Sequence, residues 1–373
     1  MSGYACRACR GGAGSVVLDL GDQPACDYFP RQDDPGPDPV YPLRMWLCAA
    51  CGLAQLIEDP TAPEEPRGTE PAALVAQAAD AVGRIAAAGL LRAGRRVAEY
   101  GSPHGGSWLG LLSDRGLTAA AQDEPAEVVV DCFGLMHGPD QAAALAERAA
   151  RVAPGGVLLL QYHSLSTIVT CRQWNALRHG HYAYYSTISL TQMLAACSFS
   201  PRTAWEFELY GGTVLLAARR DGDGQDSPDA TVTSLLARDQ QAGAVDPAAL
   251  DELQASVQAT ADWLHDWLAA QRSTGSAVLG YGAASRAISL LRIARTDRSL
   301  LPAVADASPA KQGLRIPGTD IPIVSPAELT RRQPVQVLLF VDDLLSEVRR
   351  AFPEVEETGG QWVTVPAPDP ALG

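Results

Sequence analysis

The chain has no long apolar run. Although 47% of its 373 residues are hydrophobic, none of its apolar stretches approaches the roughly 20 residues that a membrane-crossing helix needs. A membrane partner is therefore not expected. Cations are scarce too, with 29 Lys and Arg against 43 Asp and Glu and a formal charge of −14. Gripping a nucleic acid polymer takes clustered Lys and Arg, and no such cluster occurs. The opening residues MSGYACRACR lack the apolar core of a secretory leader, which predicts a cytoplasmic protein. There is no internal repeat. With only 8 Cys in the chain, a framework of disulfides is not expected.

Half of those cysteines are concentrated in two short motifs. Cys6 and Cys9 stand in CRAC, Cys48 and Cys51 in CAAC. Each CxxC loop can point two sulfurs at one centre, and two such loops complete a tetrahedral four-thiolate shell. A shell with no open position is structural, so a zinc ribbon is expected at the N-terminus. Cys26, Cys132, Cys171 and Cys197 have no ligand spacing and read as small buried hydrophobes.

The rest of the chain alternates β and α signals. VVLDL and YPLRMWLC read as strands around a Pro/Asp-rich loop, with GDQP as a turn. The proline-rich segment 61–71 reads as a linker before an Ala-rich helix. RRVAEYG, AEVVVDCFG and GGVLLLQYH then read as strands separated by helices, which implies parallel pairing with right-handed crossovers. After the polar gap RRDGDGQDSPD, a long amphipathic helix leads to SAVLGYGAASRA, LLPAVAD, VQVLLFVDD and QWVTVP, a second α/β unit. The expected fold is α/β: a zinc ribbon over 1–60, a trimmed Rossmann-like central domain over 72–219, a helical linker over 230–273 and a C-terminal Rossmann-like domain over 274–373.

These blocks, in this order and wording, resemble the zinc-ribbon sugar C-methyltransferases of antibiotic deoxysugar pathways. The likeness runs through CxxC with LDLGDQPACDYFP, the second CxxC with GLAQL, the central unit, and GYGAASRA with DASPAKQGLRIPGTDIPI. It implies a nucleotide-linked keto-deoxysugar, thymidine-diphosphate-linked, bound between the domains. Gly280, Gly282 and Lys311 are then the substrate-binding candidates. Spacing alone leaves the GxG either a phosphate cradle at a helix N-terminus or a tight turn without a ligand. Members of the family bind S-adenosylmethionine, remove a proton beside a keto group and methylate the enolate.

The central domain departs from that pattern. The family's cofactor loop, roughly E-x-G-x-N-D-G, is matched by Glu99, Gly101 and Gly105, with Pro103-His104 in place of Asn-Asp. Only GLTAAAQDEP separates the first crossover helix from the strand AEVVVDCFG, and a parallel strand ending at Glu124 would need a return crossover of about a dozen residues. GLTAAAQDEP therefore reads as a connection, leaving S-adenosylmethionine without an ordinary adenosine pocket. The family's catalytic stretch, near Y-D-E-H-F-x-x-F-S, becomes Arg178, His179, Gly180, His181, Tyr182, Ala183, Tyr184, Tyr185, Ser186. The resemblance assigns His181 as base, Arg178 as a charge beside the enolate and His137 to the cleft wall. Three functions stay open: proton transfer next to a carbonyl without S-adenosylmethionine, C-methylation with an unusual cofactor pocket, and a non-catalytic binding role.

Overall fold

A computed structural model describes residues 4–34, 36–61, 68–102, 106–222 and 227–366. In chain order, β1 (Gly14–Pro24), β2 (Val40–Cys48) and β3 (Ala54–Leu56) precede α1 (Ala72–Ala87). Then come β4 (Arg96–Gly101), α2 (Leu109–Ser113), β5 (Thr118–Ala119), β6 (Ala126–Cys132), α3 (Gln141–Arg151), β7 (Val152–His163) and α4 (Leu165–Thr170). β8 (Ala183–Tyr184), α5 (Thr187–Ala195), β9 (Phe199–Phe207) and β10 (Thr213–Arg220) follow. The last third holds α6 (Ala230–Gln241), α7 (Pro247–Ser273), β11 (Val278–Tyr281), α8 (Ser285–Ile293), β12 (Val304–Ala305), β13 (Ile323–Val324), β14 (Gln336–Leu339) and β15 (Gln361–Thr364).

The strands make three sheets. The N-terminal sheet has the order β1-β2-β3-β8, the central one β5-β4-β6-β7-β10-β9, and the C-terminal one β13-β12-β11-β14-β15. In the central sheet β5, β4, β6 and β7 are parallel, while β10 runs antiparallel to both β7 and β9. The C-terminal sheet is parallel throughout. The fold is thus α/β, with parallel-sheet Rossmann-like units behind a four-cysteine N-terminal domain.

Two local expectations change. GDQP is no turn: it completes β1, and the extra residues around Gly21, at φ 69°, form a bulge opposite β2. Gly155 likewise sits in a bulge inside β7, where Ala126 and Val128 of β6 shift register. GLTAAAQDEP is more than a connection. Thr118 and Ala119 pair in parallel with Arg96 and Val97, and residues 120–125 then carry the chain to the other side of β4. So short a return is possible because β5 climbs only two residues up the sheet, letting the chain pass beneath the N-terminal end of β4 instead of over a face.

The segment expected as a linker is a structural spine. In α7, Leu250, Leu253, Val257, Ala261, Leu264 and Leu268 are buried at intervals of three or four residues, one stripe of a helix. That stripe shares a core with Val17, Leu18 and Met45 of the N-terminal sheet and with Ile288 and Leu291 of α8. A second tie is electrostatic. The Arg315 guanidinium meets both Asp38 carboxylate oxygens at 2.6 Å, and Gly318 N–H donates to the same carboxylate at 2.6 Å. Both side chains of the ion pair are less than a tenth exposed. Gly318, at φ 73°, lies so close to Pro24 that a Cβ would stand 2.5 Å from the ring, so this turn accepts only glycine.

Removing one member of a buried ion pair strands the other charge, typically at a cost of about 3–5 kcal/mol. Asp38→Ala should destabilise the protein by that order in urea unfolding, and more than Asp38→Asn, which keeps an acceptor for Arg315. Equal stability of Asp38→Ala and the wild type would show that the clamp is dispensable.

Candidate active site and zinc centre

Cys6, Cys9, Cys48 and Cys51 do converge. Their sulfurs all lie within 4.8 Å of one another, with Cys6–Cys51 and Cys9–Cys48 separations of 3.5 Å. A tetrahedral shell with Zn–S bonds of about 2.3 Å places its sulfurs slightly under 4 Å apart, so the four side chains fit zinc as they stand. The hydrogen bond from Cys51 pushes the Cys6 thiol down to about 5 against the opposing effect of burial, while the same contact and burial raise Cys51. Held by these four thiolates, zinc would supply cross-linking and no open coordination position. Arg7, inside the first knuckle, reaches the carbonyls of Leu56, Ile57 and Pro139 and lies over the Tyr182 ring at 4.8 Å.

That knuckle therefore touches the stretch expected to be catalytic. The stretch is also strand-paired to the zinc domain: Ala54 and Gln55 of β3 face Tyr184 and Ala183 of β8. Its loop is pinned at each residue. Gly180 N–H donates to Asp59 at 2.5 Å, and the Gly180 carbonyl accepts from His137 Nδ1 at 2.9 Å. Tyr182 N–H donates to the Met136 carbonyl at 2.7 Å, and the buried Tyr184 hydroxyl accepts from Arg178 N–H at 3.0 Å. Because a carbonyl only accepts, the His137 proton sits on Nδ1.

His181 and His137 meet edge to face with ring centroids 4.7 Å apart. Arg178 Nε lies 2.7 Å from His181 Nε2. A guanidinium only donates, so His181 keeps its proton on Nδ1 and its Nε2 lone pair is engaged. The other end of the guanidinium donates to the Ser285 hydroxyl at the start of α8. His179, by contrast, turns away into the N-terminal domain, where Nε2 lies 3.2 Å from the Pro42 carbonyl.

These groups line one cavity of about 320 Å³ between the central and C-terminal sheets, with Ser102, Trp108, His163, Tyr210 and Lys311 also on its wall. Lys311 is buried, its ammonium 3.1 Å from the Ala283 carbonyl and 4.6 Å from the Phe29 ring centre. Gly280 and Gly282 do not join it there. Their N–H groups donate to Ala303 and Ala305 of the neighbouring chain segment, and Ala283 N–H donates to the Asp306 carboxylate at 2.7 Å. Gly282, at φ 92°, would set a Cβ 2.9 Å from Val341. In this geometry the glycines make a tight strand-to-helix turn, and the polar lining near it comes from Ser285, Arg286 and Lys311.

The cofactor candidates divide similarly. Glu99, within β4, has both oxygens engaged, accepting from Ser107 Oγ at 2.6 Å and Trp108 N–H at 2.5 Å just ahead of α2. Gly101 ends the strand beside Phe133; Gly105, with Pro103 and His104, lies outside the described residues. Glu124 is ion-paired with Arg96 near the start of β4, at the opposite end of the strand from Gly101.

His163 closes β7. Its residue is half-buried, yet Nε2 is shielded from solvent and has no hydrogen-bond partner among the described residues. Burial, then the Arg286 charge, push it down to about 3, with Gln173 and the Tyr210 backbone opposing. Tyr210, 6.4 Å from it between ring centres, is held at φ 58°, a strained conformation of the kind found at binding sites. Neither residue carries a local sequence signal.

Comparison with known proteins agrees with this architecture. The family model for a zinc binding domain matches residues 6–65, and that for the C-methyltransferase C-terminal domain matches residues 208–368. The chain thus carries a zinc-binding domain and a C-methyltransferase C-terminal domain. It is similar to C-methyltransferase NovU of Streptomyces niveus, with 23% identity over 408 residues that span 98% of this chain and 96% of that protein. Solved structures with some likeness include magnesium protoporphyrin IX methyltransferase from Synechocystis PCC 6803, at TM-score 0.30 and 14% identity over 40% of this chain and 84% of that one. N-methyltransferase NodS from Bradyrhizobium japonicum WM9 matches at TM-score 0.31 and 14% identity, over 40% and 88%. Likeness of that extent leaves the chemistry of the site to its own geometry. Among the described residues, no helix is long and apolar enough to cross a membrane.

Metal analysis of the purified protein should find about one zinc per chain. Cys48→Ser should lose it and melt at lower temperature, and because β8 hangs on β3, cleavage by protease around residues 178–186 should accelerate. A zinc-free wild type would overturn the metal assignment. His163 gives a pH signature. Its folded pKa lies below the ordinary 6.5, so between about 3 and 6.5 the unfolded chain binds the extra proton and stability falls on acidification. Urea midpoints measured across that window should drop less steeply in His163→Gln; identical slopes would mean the residue is not held neutral.

Proposed function

We propose that the protein moves a proton at the carbon next to the carbonyl of a nucleotide-linked keto-deoxysugar, thymidine-diphosphate-linked, in specialised metabolism, and does so without S-adenosylmethionine. The observation carrying this reading is the form of the cofactor edge. β5 stops after two residues, Glu124 is engaged by Arg96 at the far end of β4, and Glu99 is engaged by Ser107 and Trp108. The two carboxylates that match the family's cofactor positions are thus engaged elsewhere, which supports a reading without that cofactor.

The opposite side of the cavity retains what proton transfer needs. His181 Nε2 takes the proton as the Arg178 hydrogen bond on it gives way, the C–H electron pair becomes the enolate, and delivery of a proton to the opposite face of the same carbon completes an epimerisation, whereas return to the same face amounts to exchange alone. The imidazole is suited to exchange near neutral pH. Its tautomer is set by Arg178, in place of the carboxylate that Gly180 removes from the family pattern, and the same guanidinium puts positive charge beside the developing enolate oxygen. His137 acts on the loop: its Nδ1–H fixes the Gly180 carbonyl and its ring backs the His181 ring.

Methylation is the second reading, favoured by the match to the C-methyltransferase C-terminal domain. Two measurements separate them. Calorimetry with S-adenosylmethionine should show no binding tighter than about millimolar, which corresponds to only about −4 kcal/mol, and a micromolar titration or a methylated product would restore the second reading. Incubation of thymidine-diphosphate-linked keto-deoxysugars in deuterated water should show exchange beside the carbonyl that His181→Ala abolishes. Equal exchange by the variant and the wild type would remove His181 from the mechanism, and no exchange with any such sugar would leave a binding protein.

A further inference from the structure

Inversion at a carbon needs a second proton-bearing group, because His181 reaches one face only. Tyr210 comes to the same cavity from the turn that joins β9 to β10. Its ring is held from three sides. Phe133 meets it edge to face at 6.1 Å between ring centres, His163 tilts against it at 6.4 Å, and the Arg286 guanidinium lies over it at 5.6 Å. The backbone beside it is fixed as well: Gly211 N–H donates to Asp343 at 2.9 Å, and a Cβ on Gly211 or Gly212 would stand 2.5 Å from Gln173 or 2.4 Å from Thr167. Three other phenols on the cavity wall have their hydroxyls engaged, Tyr162 with Thr187, Tyr184 with the Ala176 carbonyl and Tyr185 with Gln141. The Tyr210 hydroxyl bonds to none of the described residues. Burial holds this phenol above its ordinary 10, with Arg286 and then Arg178 opposing and Asp343 and Glu70 adding to the rise. Tyr210 therefore meets a substrate in its protonated form.

We propose that Tyr210 is the catalytic acid of an epimerisation, delivering its hydroxyl proton to the face of the enolate carbon opposite His181. The inference rests on the function proposed above and adds to it the group that serves the second face. His181 Nε2 takes the first proton, and the C–H electron pair becomes the enolate. The enolate carbon then bonds to the phenol proton, the O–H electron pair stays on the Tyr210 oxygen, and the keto group re-forms. An imidazolium and a tyrosinate are left, and water resets them by accepting one proton and returning one. Charge on the wall suits this step. Arg178 bonds His181 and the Ser285 hydroxyl, and Arg286, the next residue of α8, lies over the Tyr210 ring, so a guanidinium stands by each group. The positive charge that opposes burial at Tyr210 favours the tyrosinate as it forms. His163 does not serve in its place: it is held neutral, and a neutral imidazole N–H is a far weaker acid than a phenol. In the resting protein the base is free of its proton and the phenol carries one, so the sugar accepted is the epimer that presents its C–H to His181.

The test follows two signals by proton nuclear magnetic resonance, with the full-length, zinc-loaded protein and thymidine-diphosphate-linked keto-deoxysugars in deuterated water. One is deuterium entering the recovered sugar, which reports same-face exchange at His181; the other is appearance of the epimer. The wild type should give both. Tyr210→Phe keeps the ring and its packing, and it should keep the exchange while forming the epimer at least a hundredfold more slowly, the scale of a positioned general acid. His181→Ala should lose both signals. If Tyr210→Phe does not fold, the wild type alone decides: at low conversion the epimer should carry deuterium at the inverted carbon, and an epimer that keeps the original proton would show one group serving both faces and overturn the proposal. Epimer formation by Tyr210→Phe at the wild-type rate overturns it, as does loss of exchange together with epimerisation, which would make Tyr210 a residue that positions the sugar. A wild type that exchanges without forming an epimer sinks this inference and spares the proposed function, and a wild type without exchange removes both.

Discussion

The pairing of β3 with β8 is the contact on which the site depends. Two CxxC loops closed by zinc make a small domain whose last strand, only Ala54–Leu56, has a free edge. That edge is filled by Ala183 and Tyr184 from the middle of the central domain, and the backbone hydrogen bonds of this short ladder fix the residues on either side. Arg178, Gly180 and His181 lead into it; Tyr185 and the cap of α5 lead out. Metal binding and the cavity wall are therefore one mechanical unit. A thiolate shell outside the cavity sets where the imidazoles stand.

The C-terminal domain reaches the same place by another route. α7 glues it to the N-terminal sheet through a continuous apolar stripe, and Asp38 clamps Arg315 and the turn at Gly318. These contacts account for the proline-glycine wording of both partner segments: Pro24 and Gly318 must lie flat against each other. They also bring Ser285 and Lys311 across from His181. The cavity lies where the central and C-terminal units meet, and both contribute to its positive lining.

Much of this was legible in the chain. Paired CxxC spacing announces its ligand chemistry through a fixed local geometry, and the apolar strands RVAEYG, AEVVVDC and GGVLLLQYH each carry a pattern that needs no partner to be recognised. What was hidden depended on partners. β8 has two residues and no pattern of its own, and Thr118–Ala119 becomes a strand only because Arg96 and Val97 stand beside it. GDQP carries every mark of a turn, yet opposite β2 it is accommodated as a bulge. Gly280 and Gly282 resemble a phosphate loop in wording, while the carbonyls that claim their N–H groups lie more than twenty residues away in sequence. Asp59 and Asp27, which flank the histidine loop, had no spacing to connect them with it.

The β3–β8 ladder also has a consequence for the order of folding. During synthesis the zinc knuckles emerge first and can close around a metal, but the sheet they anchor lacks its edge partner until residue 184 has left the ribosome. The α7 stripe that covers β1 comes later still. Pairings between segments so distant carry a large loop-closure entropy and form slowly. For that interval the nascent N-terminal domain exposes an open strand edge and the apolar face of Val17, Leu18 and Met45, the kind of surface that associates with other chains. Early capture of zinc would then serve as a holding device, keeping this unit folded while its coverage is still being made.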